Sequence, residues 1–102
     1  MTFVRVAATG DVPPGEVRTF SVDSRSIALA NVDGELFAID NVCTHDGGPL
    51  GEGLLVGDQV ECPRHGARFD VHSGAVRALP AVLPVRTYPV RLAGDEVQVD
   101  VG

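Results

Sequence analysis

The sequence predicts an all-β fold: an antiparallel β-sandwich or barrel with a small metal-binding subdomain inserted between its strands. Three observations predict it. The apolar segments are short and punctuated by glycine and proline. Several of them alternate apolar with polar residues, the period-two pattern that buries one face of a strand and wets the other. No stretch sustains the 3.6-residue apolar period of a core-facing helix. A length of 102 residues suits one domain, long enough for a modest core without disulfide support. A hydrophobic content of 44% excludes a disordered chain.

Taken in order, residues 2–8 read as the first strand. Asp11-Val12-Pro13-Pro14-Gly15 is a turn, because proline fixes φ and glycine permits positive φ. A strand resumes over 16–22, with imperfect alternation: Arg18, Phe20 and Val22 share a face and Val17 points the other way. The clearest hairpin joins 26–32 to 35–41 through Asp33-Gly34, a pair suited to a two-residue turn with positive φ. Ile27, Leu29 and Asn31 fall on one face of its first strand. A second hairpin closes the chain, Tyr88–Leu92 against Glu96–Val101, with Val97, Val99 and Val101 on its buried face.

Residues 42 to about 82 differ in character. They hold seven of the twelve glycines and three of the seven prolines. They also hold both cysteines and all three histidines. This is the expected inserted subdomain.

A formal net charge of −6 argues against nucleic acid, whose phosphates would repel the chain. It suits either a carrier steered to its partners by complementary charge or plain solubility. The first ten residues contain no long apolar run, so no signal peptide or membrane span is expected, and the expected location is the cytoplasm.

The chemistry concentrates in two arms, Cys43-Thr44-His45 and Cys62-Pro63-Arg64-His65, with sixteen residues between His45 and Cys62. Each arm offers one thiolate and one imidazole. A disulfide would leave two nearby histidines without a task, and reduced cysteines more often bind metal or do chemistry. Two S and two N ligands suit zinc or an iron–sulfur centre. A Cys2His2 zinc site usually spaces its paired ligands by two to four residues, whereas only Thr44 separates Cys43 from His45. The alternative is a [2Fe–2S] centre in which two thiolates hold one iron and two imidazoles the other. No Ser–His–Asp set, phosphate-binding glycine loop or paired catalytic carboxylates are visible.

The pattern C-x-H-x16-C-x2-H, with Gly47-Gly48-Pro49 after the first arm and Gly66 after the second, resembles that of Rieske-type [2Fe–2S] proteins. The resemblance continues through Phe69-Asp70, Ser73-Gly74 and Ala78-Leu79-Pro80. It is strongest to the small ferredoxin components of bacterial aromatic-ring dioxygenases. The small subunit of assimilatory nitrite reductase is a similar neighbour. The resemblance implies a base of antiparallel sheets with a cluster-binding cap, and one [2Fe–2S] cluster held by Cys43, His45, Cys62 and His65. Cys43 and Cys62 would bind the inner iron, His45 and His65 an outer iron near solvent, and Pro80 would shield the cluster. It also implies a monomeric one-electron carrier, not itself an enzyme, between a flavin-dependent reductase and a terminal oxygenase. The competing readings are a fixed subunit of a larger redox enzyme and a zinc-stabilised binding module.

High-potential Rieske proteins carry two further cysteines that staple the cluster loops, and a serine and a tyrosine that donate hydrogen bonds to sulfur. Here the matching positions of the hydroxyl residues are Ala67 and Phe69, so a potential toward the low end of the Rieske range is expected, on the order of −150 mV. Asp46, Glu52, Asp58 and Glu61 are candidates for an acidic docking rim, which Arg64 and Arg68 would dilute. His72 is expected as an exposed turn residue.

Overall fold

Eleven β-strands and two short 3-10 turns make up the regular structure of residues 2–101, the part of the chain described by the computed structural model. They form three antiparallel sheets. The first joins β1 (Phe3–Ala8), β11 (Glu96–Asp100) and β10 (Val90–Ala93) in that order. The second joins β2 (Val17–Val22), β3 (Arg25–Val32), β4 (Glu35–Asp40) and β9 (Thr87–Tyr88). The third is a meander of β5 (Leu54–Val56), β6 (Gln59–Glu61), β7 (Arg68–Asp70) and β8 (Val76–Ala78).

The second sheet is the middle layer, and β3 explains why. Ile27 and Leu29 on one face pack with Val97 and Val99 of the first sheet. Ala28 and Ala30 on the other face pack with Cys43, Leu50, Cys62 and Phe69. A strand buried on both faces must be apolar throughout, and Ile27 to Ala30 are all fully buried. The same layering accounts for the broken alternation of β2. Val17 belongs to the core beneath the third sheet, while Phe20 and Val22 belong to the core beneath the first.

The Asp33-Gly34 turn forms as expected, with φ of 53° and 96°. The expected strand from Tyr88 to Leu92 is interrupted at Pro89. Tyr88 pairs with Ala38 of β4, whereas Val90 pairs with Val99 of β11. A proline cannot donate to a ladder, so the chain changes sheets there. No helix among the described residues is long and apolar enough to cross a membrane.

What positions the metal-binding arms is a set of polar latches. Asn41, just past β4, is buried; its Oδ1 accepts from Gly51 N at 2.6 Å and its Nδ2 donates to Ser26 Oγ at 2.9 Å. This pins the Leu50–Glu52 turn onto the middle sheet, so closely that a Cβ on Gly51 would collide with Thr19. Asp70 organises the turn after β7: its Oδ1 accepts from His72 N and Ser73 N, and its Oδ2 from Arg77 at 2.8 Å. Val85 N donates to Gly74 O at 2.9 Å and ties the segment after β8 to that turn.

Candidate metal centre

The two arms are built alike. In the first, Gly47 N donates to Cys43 O at 2.8 Å, and Cys43 N donates to Gly48 O at 2.8 Å. In the second, Gly66 N donates to Cys62 O at 3.3 Å, and Cys62 N to Ala67 O at 2.7 Å. Each arm is thus a loop closed on its own cysteine, four residues back from a glycine. Gly47 (φ 77°) and Gly66 (φ 78°) adopt the left-handed conformation that glycine takes without strain. The spacing in the sequence is the spacing this loop requires.

The loops turn their thiols inward and their imidazoles outward. Cys43 and Cys62 are 1% and 2% exposed and belong to one apolar core with Ala67, Phe69 and Ala81. His45 and His65 are exposed, with ring centroids 5.6 Å apart and the rings edge to face. Burial pushes the Cys43 thiol above its ordinary pKa. The backbone N–H groups of His45 and Asp46 point at its sulfur and act in the opposite direction, and neighbouring Cys62 adds to the rise. Such N–H groups favour a thiolate, the form that binds metal.

Asp46 corrects the acidic-rim expectation. Its side chain is 13% exposed and turned into the site. Oδ1 accepts from Gly48 N at 2.9 Å and lies 3.8 Å from Cys62 Sγ; Oδ2 accepts from His65 Nδ1 at 3.0 Å. The Gly48 N–H first, then His65, hold its carboxyl below the usual carboxylate range. Gly48 is needed beside it: a Cβ there would press on Asp46 Oδ1 and on the Arg64 side chain. Glu61 is ion-paired with Arg68 at 2.9 Å, so it is no free acidic group either. Glu52 and Asp58 are exposed, and so are several apolar side chains on the segments flanking the arms. Val42, Leu79, Val82 and Leu83 are exposed, Leu79 and Val82 each at 76%. Thr44 Oγ1 donates to Leu83 O at 2.6 Å and so ties this third loop to the first arm. Pro80 is half-buried within it.

The structure brings Cys43, Cys62, His45 and His65 into one neighbourhood and leaves His72 outside it. His72 is exposed, lies against Phe37 with ring centroids 4.2 Å apart and the rings tilted by 57°, and has Nε2 3.8 Å from Asp58. Sequence reasoning missed the inward role of Asp46. The signal was available: an aspartate two residues before a glycine can accept from the backbone N–H two residues on. The donors fit an iron–sulfur group: buried thiols with amides aimed at sulfur, and imidazoles at the solvent edge.

Comparisons with known proteins agree. The Rieske [2Fe–2S] domain family profile matches residues 2–89. The chain is 43% identical to the ferredoxin component of biphenyl 2,3-dioxygenase of Rhodococcus jostii (strain RHA1), covering 98% of this chain and 94% of that one. It superposes on the ferredoxin of carbazole 1,9a-dioxygenase from Nocardioides aromaticivorans IC177 with a TM-score of 0.91 and 40% identity, over 97% of each chain. It also superposes on a chain of a complex of reduced oxygenase and oxidized ferredoxin in carbazole 1,9a-dioxygenase, with a TM-score of 0.89 and 34% identity, over 95% of this chain and 100% of that one. The fold and site thus define an iron–sulfur electron carrier, an electron-transfer component and not a catalytic subunit. More narrowly, the chain belongs to the Rieske [2Fe–2S] family, whose cofactor is a [2Fe–2S] cluster.

Proposed function

We propose that Cys43 and Cys62 hold the inner iron and His45 and His65 the outer iron of one [2Fe–2S] cluster. In this reading the chain is a monomer in the cytoplasm that carries single electrons from a flavin-dependent reductase to a terminal oxygenase of the dioxygenase type. Residues 1–102 form one domain, with a cluster-binding subdomain at about 42–82. One observation carries the proposal: two like-built loops face each other with thiols buried and imidazoles exposed. Relatives named as ferredoxin components of biphenyl and carbazole dioxygenases support the choice of partner class.

When bound, such a cluster takes up and gives back one electron, at a higher potential than an all-cysteine centre because neutral imidazoles replace two anionic thiolates. The chain's own residues do the rest. Buried Cys43 and Cys62, under Phe69 and Ala81, keep water from the inner side of the site. His45 and His65 present imidazole edges to the surface. Leu79, Val82 and Leu83 give a partner an apolar seat beside them, and Thr44 fixes that seat.

The test is metal and acid-labile sulfide analysis with visible and EPR spectra on the purified chain. Iron and sulfide in equal amounts are expected, as the cluster composition requires. His45→Ala and His65→Ala are expected to lose the cluster, and His72→Ala to keep it. Stoichiometric zinc without sulfide, or a cluster that survives loss of His65 but not of His72, would refute the ligand assignment. Turnover of a terminal oxygenase that requires both this chain and a flavin reductase tests the partners.

A further inference from the structure

We infer that the open seam between β4 and β10 binds an extended segment of another protein, apolar residues alternating with basic ones, as a strand added to the edge of β10. The seam lies outside both cysteine-bearing arms and uses none of their residues.

β9 covers only part of β4. The ladder joins Ala38 to Tyr88 and Ile39 to Thr87, and Asp40 N donates to Arg86 O. Backbone groups alternate sides along a strand, so Leu36 directs its N–H and C=O to the same side as Ala38 and Asp40. The residue in register with Leu36 is Val90, past the break at Pro89, and Val90 pairs with Val99 of β11 instead. β10 is itself the last strand of its sheet. Asp100 N donates to Pro89 O, so Arg91 and Ala93 are the residues of β10 that bond to β11. Val90 and Leu92 turn their N–H and C=O the other way. Among the described residues no strand pairs with that side of β10.

The side chains show the same opening. Leu92 lies opposite Val97, on the face that Val97 and Val99 bury, yet it is 56% exposed. Between it and Leu36 runs a cleft of about 390 Å3, with Asp33 and Glu35 on its β4 side. Both carboxylates are exposed, and among the described residues neither has an ion-pair partner. Arg91 also lines the cleft but is engaged on the outer face: its Nε donates to Gln98, and its guanidinium lies 4.3 Å from the centre of the Phe3 ring.

Each feature specifies part of the occupant. An unpaired edge calls for extended backbone. In a strand added to β10, the residue opposite Leu92 exchanges both hydrogen bonds with it and points its side chain inward, toward Leu36 and Leu92. That residue must be apolar. Its neighbours point outward, where Glu35 favours a basic side chain.

The experiment uses the full chain with its cluster and a synthetic probe, acetyl-Lys-Val-Lys-Val-Lys-amide. One peptide per chain is expected, with hydrogen exchange slowed at Leu92 and unchanged at Leu29. Glu35→Gln is expected to weaken binding about two- to fivefold, the size of an exposed ion pair. The same peptide methylated on both valine nitrogens keeps its charge and is expected to lose binding, because those N–H groups make the pairing. No slowing at Leu92 with millimolar peptide overturns the proposal. Equal binding of the methylated peptide also overturns it, leaving only attraction of a cation to an acidic chain. Sedimentation of the chain alone tests the other occupant: a dimer in which Leu92 is already protected would make a second copy the added strand, and the proposal would fall.

Discussion

The two faces of the middle sheet have been given opposite tasks by the same strand. On one side of β3, Ile27 and Leu29 meet Val97 and Val99 in a core of large branched side chains held by long ladders. On the other, Ala28 and Ala30 leave room for irregular loops to descend onto the sheet, bringing Leu50, Cys43 and Cys62 with them. The first face is secured by apolar area and strand pairing. The second depends on single contacts: Asn41 with Gly51 fixes one loop, and Asp70 with Gly74 fixes another. A metal-binding region needs this second kind of structure. Its backbone must bend sharply, aim N–H groups at sulfur and stay open to a partner, none of which a regular ladder allows.

The strongest test of that contrast is a cavity under β3. Leu29→Ala should cost about 2–5 kcal/mol, the range for truncating a fully buried leucine. Because β3 belongs to both cores, the loss should appear as one cooperative shift in the denaturant midpoint with unchanged slope. A separate early transition confined to the loop side would break the view that the middle sheet couples the two faces.

A change in a latch should act locally instead. Gly74→Ala puts a Cβ against the Val85 carbonyl oxygen at a residue with φ of 78°. A strained backbone position of this kind costs about 1–3 kcal/mol. Hydrogen exchange should quicken in 70–86 and not in β3 or β11. Gly94→Ala, at φ of 64° with nothing near its Cβ, serves as the control for backbone strain alone. Equal effects from the two substitutions would show that the contact with Val85 contributes nothing.

The same asymmetry governs what was legible in the sequence. Period-two alternation gave β11, and Asp33-Gly34 gave the β3–β4 hairpin, since both are local signals. The burial of Ala28 and Ala30 was not legible, because small residues carry little pattern and their role depends on loops distant in sequence. The break at Pro89 was visible as a proline but not as a change of sheet. The four candidate ligands announced themselves by residue type and spacing. Asp46 did not, because an aspartate beside a metal-binding motif reads equally well as surface charge.

Acid should weaken the loop side through Asp70. Arg77 first, then the N–H groups of His72 and Ser73, hold its carboxyl below the ordinary range. A depressed carboxylate pKa contributes stability above the unfolded value of about 3.9, and loses it as pH falls through the lower folded value. Arg77→Ala removes the main cause. It should cost about 0.5–1 kcal/mol near neutral pH, the range for a half-exposed pair. The gap to the parent should narrow below about pH 4 and close below the folded value. Chemical denaturation at several pH values measures it, and a gap that does not vary with pH would remove Arg77 as the cause.

The last predicted effect falls where the two kinds of structure meet. Ala67 and Phe69 are fully buried in the core that holds both cysteines, and Ala67 O accepts from Cys62 N. Neither side chain carries a hydroxyl, so neither can donate to a sulfur. Donors to sulfur favour the reduced, more negative state, which is why their absence points to a low potential. Ala67→Ser and Phe69→Tyr each add one oxygen to an otherwise apolar wall. A net hydrogen bond of about 1 kcal/mol corresponds to about 40 mV for a one-electron couple. Each change that finds a sulfur should therefore raise the midpoint by about that much, measured by direct voltammetry at neutral pH. A hydroxyl that finds no partner is a buried polar group and costs about 1–3 kcal/mol of stability. Each variant thus has two readable outcomes, a raised midpoint with stability kept or an unchanged midpoint with stability lost. A midpoint that falls in both variants would show that the wall controls the potential through packing, and not through its lack of donors.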